Sequence, residues 1–408
     1  MTESLVIIGN GMAAARLARS LAARAPDRFA ITIIGDEPGH AYNRIMLSPF
    51  LSGDAGAPDL ELVSPEWWET ASIRVIAGAA AASVDTAARK VRLANGRRLS
   101  YSKLVFATGS RAVRPPMLGA DLPGVSVFRT LSDTRELVSL AEREAKVAVI
   151  GGGLLGIEAA YGLSKRGARV TLVHLMDRLM NRQLDAGAAA LVKASLERQG
   201  IEVILEAQSE SIVGESRVEG LRLAGGRTIE AGCVVMAAGI KPNAELAKAV
   251  GLAVNRGIIV SEQLQTSFAD IYAIGECAET AGQCCGLVEP AYAQAEILAR
   301  HLCEDKDAAY TPSAPATNLK VSGLPVFSAG DVLGGAGSSR ILLRDPSHGI
   351  YKKLVTRAGL LTGAVLVGDT GDGAWYLKLI RDCTPIAPFR SSLAFGEAYC
   401  SAPTELAA

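Results

Sequence analysis

Gly9-Asn10-Gly11-Met12-Ala13-Ala14 decides how the chain folds, together with its echo Gly151-Gly152-Gly153-Leu154-Leu155-Gly156. Each stretch follows a short apolar run, Leu5-Val6-Ile7-Ile8 in the first case, and opens an Ala/Leu-rich segment of helical character. A strand that runs through a glycine turn into a helix is the start of a βαβ unit. Gly9 permits the tight turn, Gly11 lets the backbone approach a pyrophosphate without an intervening Cβ, and Ala14 allows close helix–strand packing. The new helix presents unpaired N–H groups and its positive end to the phosphates. The next strand, 30–35, ends at Asp36 and Glu37, where a carboxylate can accept both hydroxyls of a ribose.

In the echo the glycines are Gly151, Gly153 and Gly156, with Glu158 one turn into the helix. Its following strand, 168–173, ends in His174 rather than in an acid. An acid there would hold an unphosphorylated ribose and repel a 2′-phosphate. Histidine does neither decisively; a protonated ring can assist a phosphate, and Arg178 lies close by in sequence. The pattern fits a nicotinamide dinucleotide, with NADH and NADPH both open.

The surrounding chain has the matching rhythm. Strand signals recur at 73–76, at 90–93 and 98–101 around Asn95-Gly96, and at 103–107, which closes in Thr108-Gly109. Asn95-Gly96 reads as a hairpin turn favoured by positive φ. A proline-containing connection, 111–124, marks a boundary. The second unit starts near Ala145, continues through a helix near 185–199 and strands at 202–205, 218–223 and 233–237, and closes at Gly239. Strand signals return over 258–275, followed by a helix at 291–301 and a polar linker at 303–315. Four further strands (327–329, 340–343, 349–355, 363–367) and a helix at 374–381 read as a small α+β domain.

Composition narrows the partners. Lys+Arg and Asp+Glu are both 42 among 408 residues, so no overall charge draws the chain to nucleic acid or to an acidic lipid surface. No apolar run approaches a membrane span, and Thr2-Glu3-Ser4 is no basic leader, so a cytoplasmic location is expected. The seven cysteines form no CxxC pair, and no metal site is expected. Cys284-Cys285 reads either as incidental thiols or as a redox-active pair.

The residues now resemble a pyridine nucleotide–disulfide oxidoreductase-like flavoprotein. Four landmarks carry the likeness: Gly9-x-Gly11-x-x-Ala14, Ala107-Thr108-Gly109-Ser110, Gly151-x-Gly153-x-x-Gly156, and the run from Thr266 to Gly275-Glu276. The resemblance implies an α/β protein of the glutathione-reductase type, with two Rossmann-like dinucleotide-binding domains and the small C-terminal α+β domain at an interface. The FAD domain would span 1–115 and 243–310, split by an NAD(P) domain at 116–242, with the C-terminal domain at 311–408. FAD would be held by Gly9, Gly11, Ala14, Glu37 (favoured over Asp36 on this likeness), Arg44, Ala107, Thr108, Gly109, Gly275 and Glu276. NADH or NADPH would be held by Gly151, Gly153, Gly156, His174 and Gly239.

The disulfide-reductase branch places a cysteine pair on the helix after the first loop, whereas this chain has no cysteine before Cys233. Its loop, 37–48, and the segments 174–180, 183–185, 275–279 and 318–323 instead resemble the FAD/NAD module of assimilatory nitrite reductase large subunits, and beyond them rubredoxin and ferredoxin reductases. The implied activity is an FAD-dependent NAD(P)H oxidoreductase that accepts a hydride and passes electrons to a separate Fe–S or haem protein of nitrate/nitrite assimilation. Arg44 would be a flavin-side cation. Glu158 would lie near the nicotinamide, or else be a solvated helix carboxylate. A ferredoxin or rubredoxin reductase of another pathway, an NAD(P)H oxidase or peroxidase, and a flavin-binding sensor without turnover are the competing readings. The lack of an early cysteine weighs against the oxidase and peroxidase. Oligomeric state is open.

Overall fold

Leu5–Ile8 is an uninterrupted apolar run because its strand is buried on both faces, as a central parallel strand must be. The computed structural model describes residues 2–143, 146–321 and 323–400. Ala145, at the expected start of the second module, and Ser322, in one of the nitrite-reductase-like segments, lie outside the described residues. The chain divides into two compact units. One comprises the chain up to Phe50, Ala55–Val113 and Ile240–Pro312; the other comprises Leu51–Asp54, Arg114–Gly239 and the chain from Ser313 onward.

In the first unit five parallel strands lie in the order Ile271–Ala273, Lys103–Phe106, Glu3–Ile8, Phe29–Ile34, Arg74–Ile76. Alternate side chains of the central strand feed two cores. Leu5 and Ile7 pack with Leu17 and Leu21 of the helix Met12–Arg24 and Leu298 of the helix Val288–Leu302. Val6 and Ile8 pack on the other side with Phe106, Val91 and Leu93. The chain leaves the central strand to one side and returns on the other, which opens a crevice at the strands' carboxyl ends.

The second unit repeats this plan. Its parallel order is Glu202–Ile204, Arg169–Val173, Lys146–Ile150, Cys233–Met236, Val125–Val127. Each module also carries a three-stranded antiparallel meander just before its returning strand. These are Ala81–Asp85, Lys90–Leu93 and Arg98–Ser100 in the first, and Ser209–Val213, Gly220–Leu223 and Thr228–Glu230 in the second. Their turns correspond, Leu93-Ala94-Asn95-Gly96-Arg97 with Leu223-Ala224-Gly225-Gly226-Arg227. In both, the fourth residue's N–H reaches the first residue's carbonyl. Asn95-Gly96 therefore does make a hairpin turn, but only Gly96 has positive φ, and Asn95 Oδ1 instead accepts from Arg97 N–H at 3.1 Å.

The C-terminal strands form an antiparallel sheet in the order Ala316–Val321, Leu324–Gly330, Leu360–Val367, Ile350–Arg357, Ser338–Asp345. The helix Gly373–Arg381 covers it, with Phe327, Leu354, Leu366 and Tyr376 in the core between them. Tyr376 Oη donates to Leu393 O at 2.7 Å, and burial pushes its pKa up. Asp185 ties this sheet to the helix Ala186–Arg198. Its Oδ1 accepts from Ala188 N–H at 3.1 Å as a helix cap, and its Oδ2 accepts from Tyr351 Oη at 2.7 Å and pairs with Lys353 Nζ at 3.1 Å. Burial opposes the Asp185 charge, but these donors together hold its carboxyl below the usual range. Tyr351 is pushed up to about 12 by burial and that carboxylate. Among the described residues no helix is long and apolar enough to cross a membrane.

Candidate functional site

Both glycine turns are built by the same backbone requirement. Gly9 has φ +118°, and a Cβ there would lie 2.0 Å from Ala107 O; Gly151 has φ +114°, and its Cβ would lie 2.3 Å from Ala237 O. Each turn rests on the carbonyl of the alanine that opens the returning strand's end, Ala107-Thr108-Gly109 or Ala237-Ala238-Gly239. At Gly11 and Gly153 a Cβ would meet nothing within 4 Å, so open space faces the backbone. Each of these two glycines is the cap of its helix, and neither helix receives a side-chain cap. The first-turn amides of both helices thus lack the side-chain acceptor that Asp185 provides for its own helix. An anion such as a pyrophosphate fits both places. Ala14 is fully buried, and at the matching Gly156 a Cβ would lie 1.8 Å from Gly151 O.

In the first module Asp36 is exposed, and its Oδ1 caps the N–H of Glu37 at 3.0 Å. Glu37 is the half-buried carboxylate. Its Oε2 accepts from Tyr42 Oη at 2.8 Å, and its Oε1 is paired with Arg44. The Arg44 guanidinium stacks over the Tyr42 ring, 4.9 Å from its centroid. Burial opposes its charge, but Tyr42, Glu37 and, at longer range, Glu276 hold its pKa above the ordinary value. Arg44, expected as a flavin-side cation, and Glu37, expected at a ribose, are one ion pair. Tyr42 completes it.

Across the crevice, Thr108 Oγ1 donates to Asn243 O at 2.6 Å and Asn243 Nδ2 donates back to Thr108 O at 2.9 Å. Ser110 Oγ donates to Glu276 Oε2 at 2.7 Å. Gly275 has φ +79°, and its N–H donates to the buried Gln294 Oε1 at 2.7 Å. Gly9, Gly11, Ala14, Glu37, Arg44, Ala107, Thr108, Gly109, Gly275 and Glu276 all belong to the first unit. Motif reading passed over Asn243 and Gln294, because their contacts join distant segments and leave no local pattern; Tyr42, inside the loop 37–48, was given no role although its partners Glu37 and Arg44 lie in that same loop. Ser110 lay inside a quoted motif, but its bond to Glu276 was not foreseen. Asn10 was also passed over; its Nδ2 donates to Gly39 O at 2.9 Å while its Oδ1 is buried without a partner.

Gly151, Gly153, Gly156, Glu158, His174 and Gly239 belong to the second unit. Glu158 is half-buried on the helix Leu154–Lys165, and Gly239 has φ +117°. Gly152 N–H donates to His174 Nδ1 at 3.0 Å, while His174 Nε2 is buried without a partner. Burial pushes the imidazole pKa down. The equivalent bonds Gly9 N–H to Ile34 O and Gly151 N–H to Val173 O, both 2.8 Å, set the two modules in register. Counting onward, His174 matches Gly35, and Met176 matches Glu37. The bulk is exchanged too. A Cβ on Gly35 would lie 2.5 Å from Asn10 Cβ, and one on Gly152 would lie 2.7 Å from His174 Cγ. The position equivalent to Glu37 therefore carries Met176, 44% exposed, rather than His174.

This geometry agrees with what the chain is similar to. Residues 3–295 match the model of the pyridine nucleotide-disulphide oxidoreductases, and residues 315–384 match the rubredoxin NAD+ reductase C-terminal domain. The chain belongs to the pyridine nucleotide-disulphide oxidoreductase family. It is 45% identical over 379 residues to a nitrite reductase [NAD(P)H] of Bacillus subtilis, covering 93% of this chain and 47% of that protein. It is 41% identical to an assimilatory nitrate reductase electron transfer subunit of the same organism, covering 91% and 48%. The chain thus spans about half the length of these two relatives. A solved ferredoxin reductase for the CYP199A2 system of Rhodopseudomonas palustris superposes with a TM-score of 0.84 at 29% identity, covering 92% of this chain and 93% of that one. The resemblance drawn from the four motifs, to pyridine nucleotide-disulphide oxidoreductases near nitrite reductase modules and ferredoxin reductases, is borne out.

Proposed function

We propose that the first unit binds FAD, that the dinucleotide module of the second unit binds NADH or NADPH, and that the electrons leave for a separate redox protein. The observation that carries this reading is the pair of uncapped helix N-termini behind glycine turns, one of them facing the crevice that holds Glu37, Arg44 and Glu276. FAD, when bound, supplies the exchange between a two-electron donor and a one-electron acceptor. The chain supplies position. The amides after Gly11 would receive the pyrophosphate, Glu37 the ribose hydroxyls, and Glu276, oriented by Ser110, the ribityl side. Arg44 would act through Glu37, holding its carboxylate aimed, as well as lending positive charge to the flavin site. Gly151, Gly153, Gly156 and Gly239 would line the nicotinamide dinucleotide, with Glu158 near the reacting ring. In this division of labour residues 1–115 and 243–310 form the FAD domain, 116–242 the NAD(P) domain, and 311–408 a separate C-terminal domain at an interface.

The acceptor is proposed to be an Fe–S or haem protein of nitrate or nitrite assimilation, in the cytoplasm. The similarity to a nitrate reductase electron transfer subunit supports that choice. A ferredoxin or rubredoxin reductase of another pathway is the second reading, supported by the match over 315–384 and by the near-complete overlap with a ferredoxin reductase. With no cysteine before Cys233, no dithiol relay can arise from the first helix or loop. Stopped-flow mixing tests both. Either nucleotide should bleach the flavin absorbance rapidly, and the reduced protein should be reoxidised fastest by a nitrate-reductase catalytic subunit. Fast transfer to ferredoxin or rubredoxin alone would select the second reading. FAD binding with no bleaching by either nucleotide would sink the oxidoreductase.

A further inference from the structure

The loop after the strand Arg169–Val173 decides which nucleotide the second module accepts. A 2′-phosphate carries about −1.5 to −2 charge at neutral pH and needs cationic or N–H partners when it leaves water. Three side chains in this loop, His174, Arg178 and Arg182, are cations in principle. His174 is not one in this arrangement: its Nδ1 accepts the Gly152 N–H at 3.0 Å, and a protonated ring would set two donors against each other there. Burial of the ring works in the same direction. Arg178 is consumed by its own loop. Its Nη1 meets both Asp177 oxygens at 2.9 Å, its Nε donates to Leu184 O at 3.3 Å, and its Nη2 donates to Asn181 O at 3.3 Å. Leu175 and Met176, between them, are 60% and 44% exposed and offer no charge. Asp177, the next residue, adds an exposed carboxylate. Arg182 is exposed and stands six residues past Met176, after Met180, whose N–H is fixed to Gly152 O at 2.8 Å.

We propose that this module selects NADH over NADPH by placing no cation at the ribose position, with Met176 where Glu37 stands in the first module and both His174 and Arg178 committed to the protein. The inference rests on reading the second module as the nicotinamide dinucleotide site. Its selectivity comes from rejection rather than grip, because a methionine cannot hold the ribose hydroxyls as a carboxylate does.

Calorimetric titration of the FAD-loaded full chain with ADP-ribose and with 2′-phospho-ADP-ribose reads this without catalysis. ADP-ribose should bind at least about tenfold more tightly. Met176→Arg, at an exposed position, should raise the affinity for 2′-phospho-ADP-ribose relative to ADP-ribose by about tenfold. Met176→Glu should strengthen ADP-ribose alone. Equal or tighter binding of the phosphorylated ligand by the unaltered protein would overturn the proposal, as would indifference of both ligands to either substitution. If neither ligand binds, the nicotinamide reading itself falls, and the proposal with it.

Discussion

Glu37 concentrates the chemistry of the first site, because one carboxylate meets a phenol, a guanidinium and, by the proposed function, a ribose. An ionised carboxylate has about four lone-pair directions, so Tyr42 and Arg44 leave room for two ribose hydroxyls. Glu37→Gln keeps the shape, removes the charge and replaces an acceptor by a donor. The FAD dissociation constant of deflavinated protein, read by flavin fluorescence quenching, is expected to rise roughly 10- to 100-fold. An unchanged constant would take Glu37 out of the ribose contact. His174 gives a pH signature of the second module. Its folded-state pKa lies below the ordinary value of about 6.5, so the unfolded chain takes up a proton first as pH falls. Stability is therefore flat well above pH of about 6.5 and declines as pH drops from there towards the folded-state value. His301 is shifted the same way by burial and then by Lys103, so the comparison must be with His174→Gln. The variant should lose Tm less steeply than the parent between pH of about 7.5 and 5.5. Parallel curves would place the sensitivity elsewhere.

At the scale of elements, the two fingerprints differ in the third small residue. Ala14 fits the first helix–strand contact, yet at Gly156 a Cβ would be driven to 1.8 Å from a backbone oxygen. Gly156→Ala should push the helix Leu154–Lys165 off its strand at a cost of about 1–3 kcal/mol, with ADP-ribose binding weakened and FAD content kept. A variant as stable as the parent by denaturant titration would show that the helix can shift freely. The cap at Asp185 is a second joint. Asp185→Ala removes a helix cap, worth about 1 kcal/mol, and takes the carboxylate from the buried Lys353, whose Nζ keeps only its bond to Val332 O among those described, so a loss of roughly 3 kcal/mol is expected from the same titration. A loss near 1 kcal/mol would mean that only the cap counts. What could be read in advance follows from the same physics. Glycine turns announce themselves because backbone clashes with Ala107 O and Ala237 O leave no alternative residue. The strand Glu3–Ile8 was legible from the unbroken apolar run Leu5–Ile8, and the helix Met12–Arg24 from its Ala/Leu-rich composition after the glycine turn. Val125–Val127, Ala81–Asp85 and Ser209–Val213 were not, being short strands whose pairing comes from remote segments. The register that puts Met176 opposite Glu37 was equally hidden, since it is set by hydrogen bonds between strands rather than by spacing along the chain.

At the scale of the whole molecule, the chain is two units with separate cores, the sheet cores around Leu5 and Phe106 in one and those around Val234 and Leu354 in the other. The first unit is assembled from three stretches of sequence, so its sheet closes only when Ile271–Ala273 pairs with Lys103–Phe106 across the whole intervening module. A ligand that binds one folded unit stabilises that unit by mass action, about 2.7 kcal/mol at one hundred times its dissociation constant. By the proposed function FAD binds the first unit and ADP-ribose the second, so each should raise a different step of thermal unfolding. Calorimetric scans of the deflavinated chain are expected to show two overlapping transitions, one moved by FAD and the other by ADP-ribose, with both moved when the ligands are combined. A single transition raised by either ligand would mean that the units unfold as one. The same transition answering to both ligands, while the other stays still, would mean that the two dinucleotides are assigned to the wrong parts of the chain.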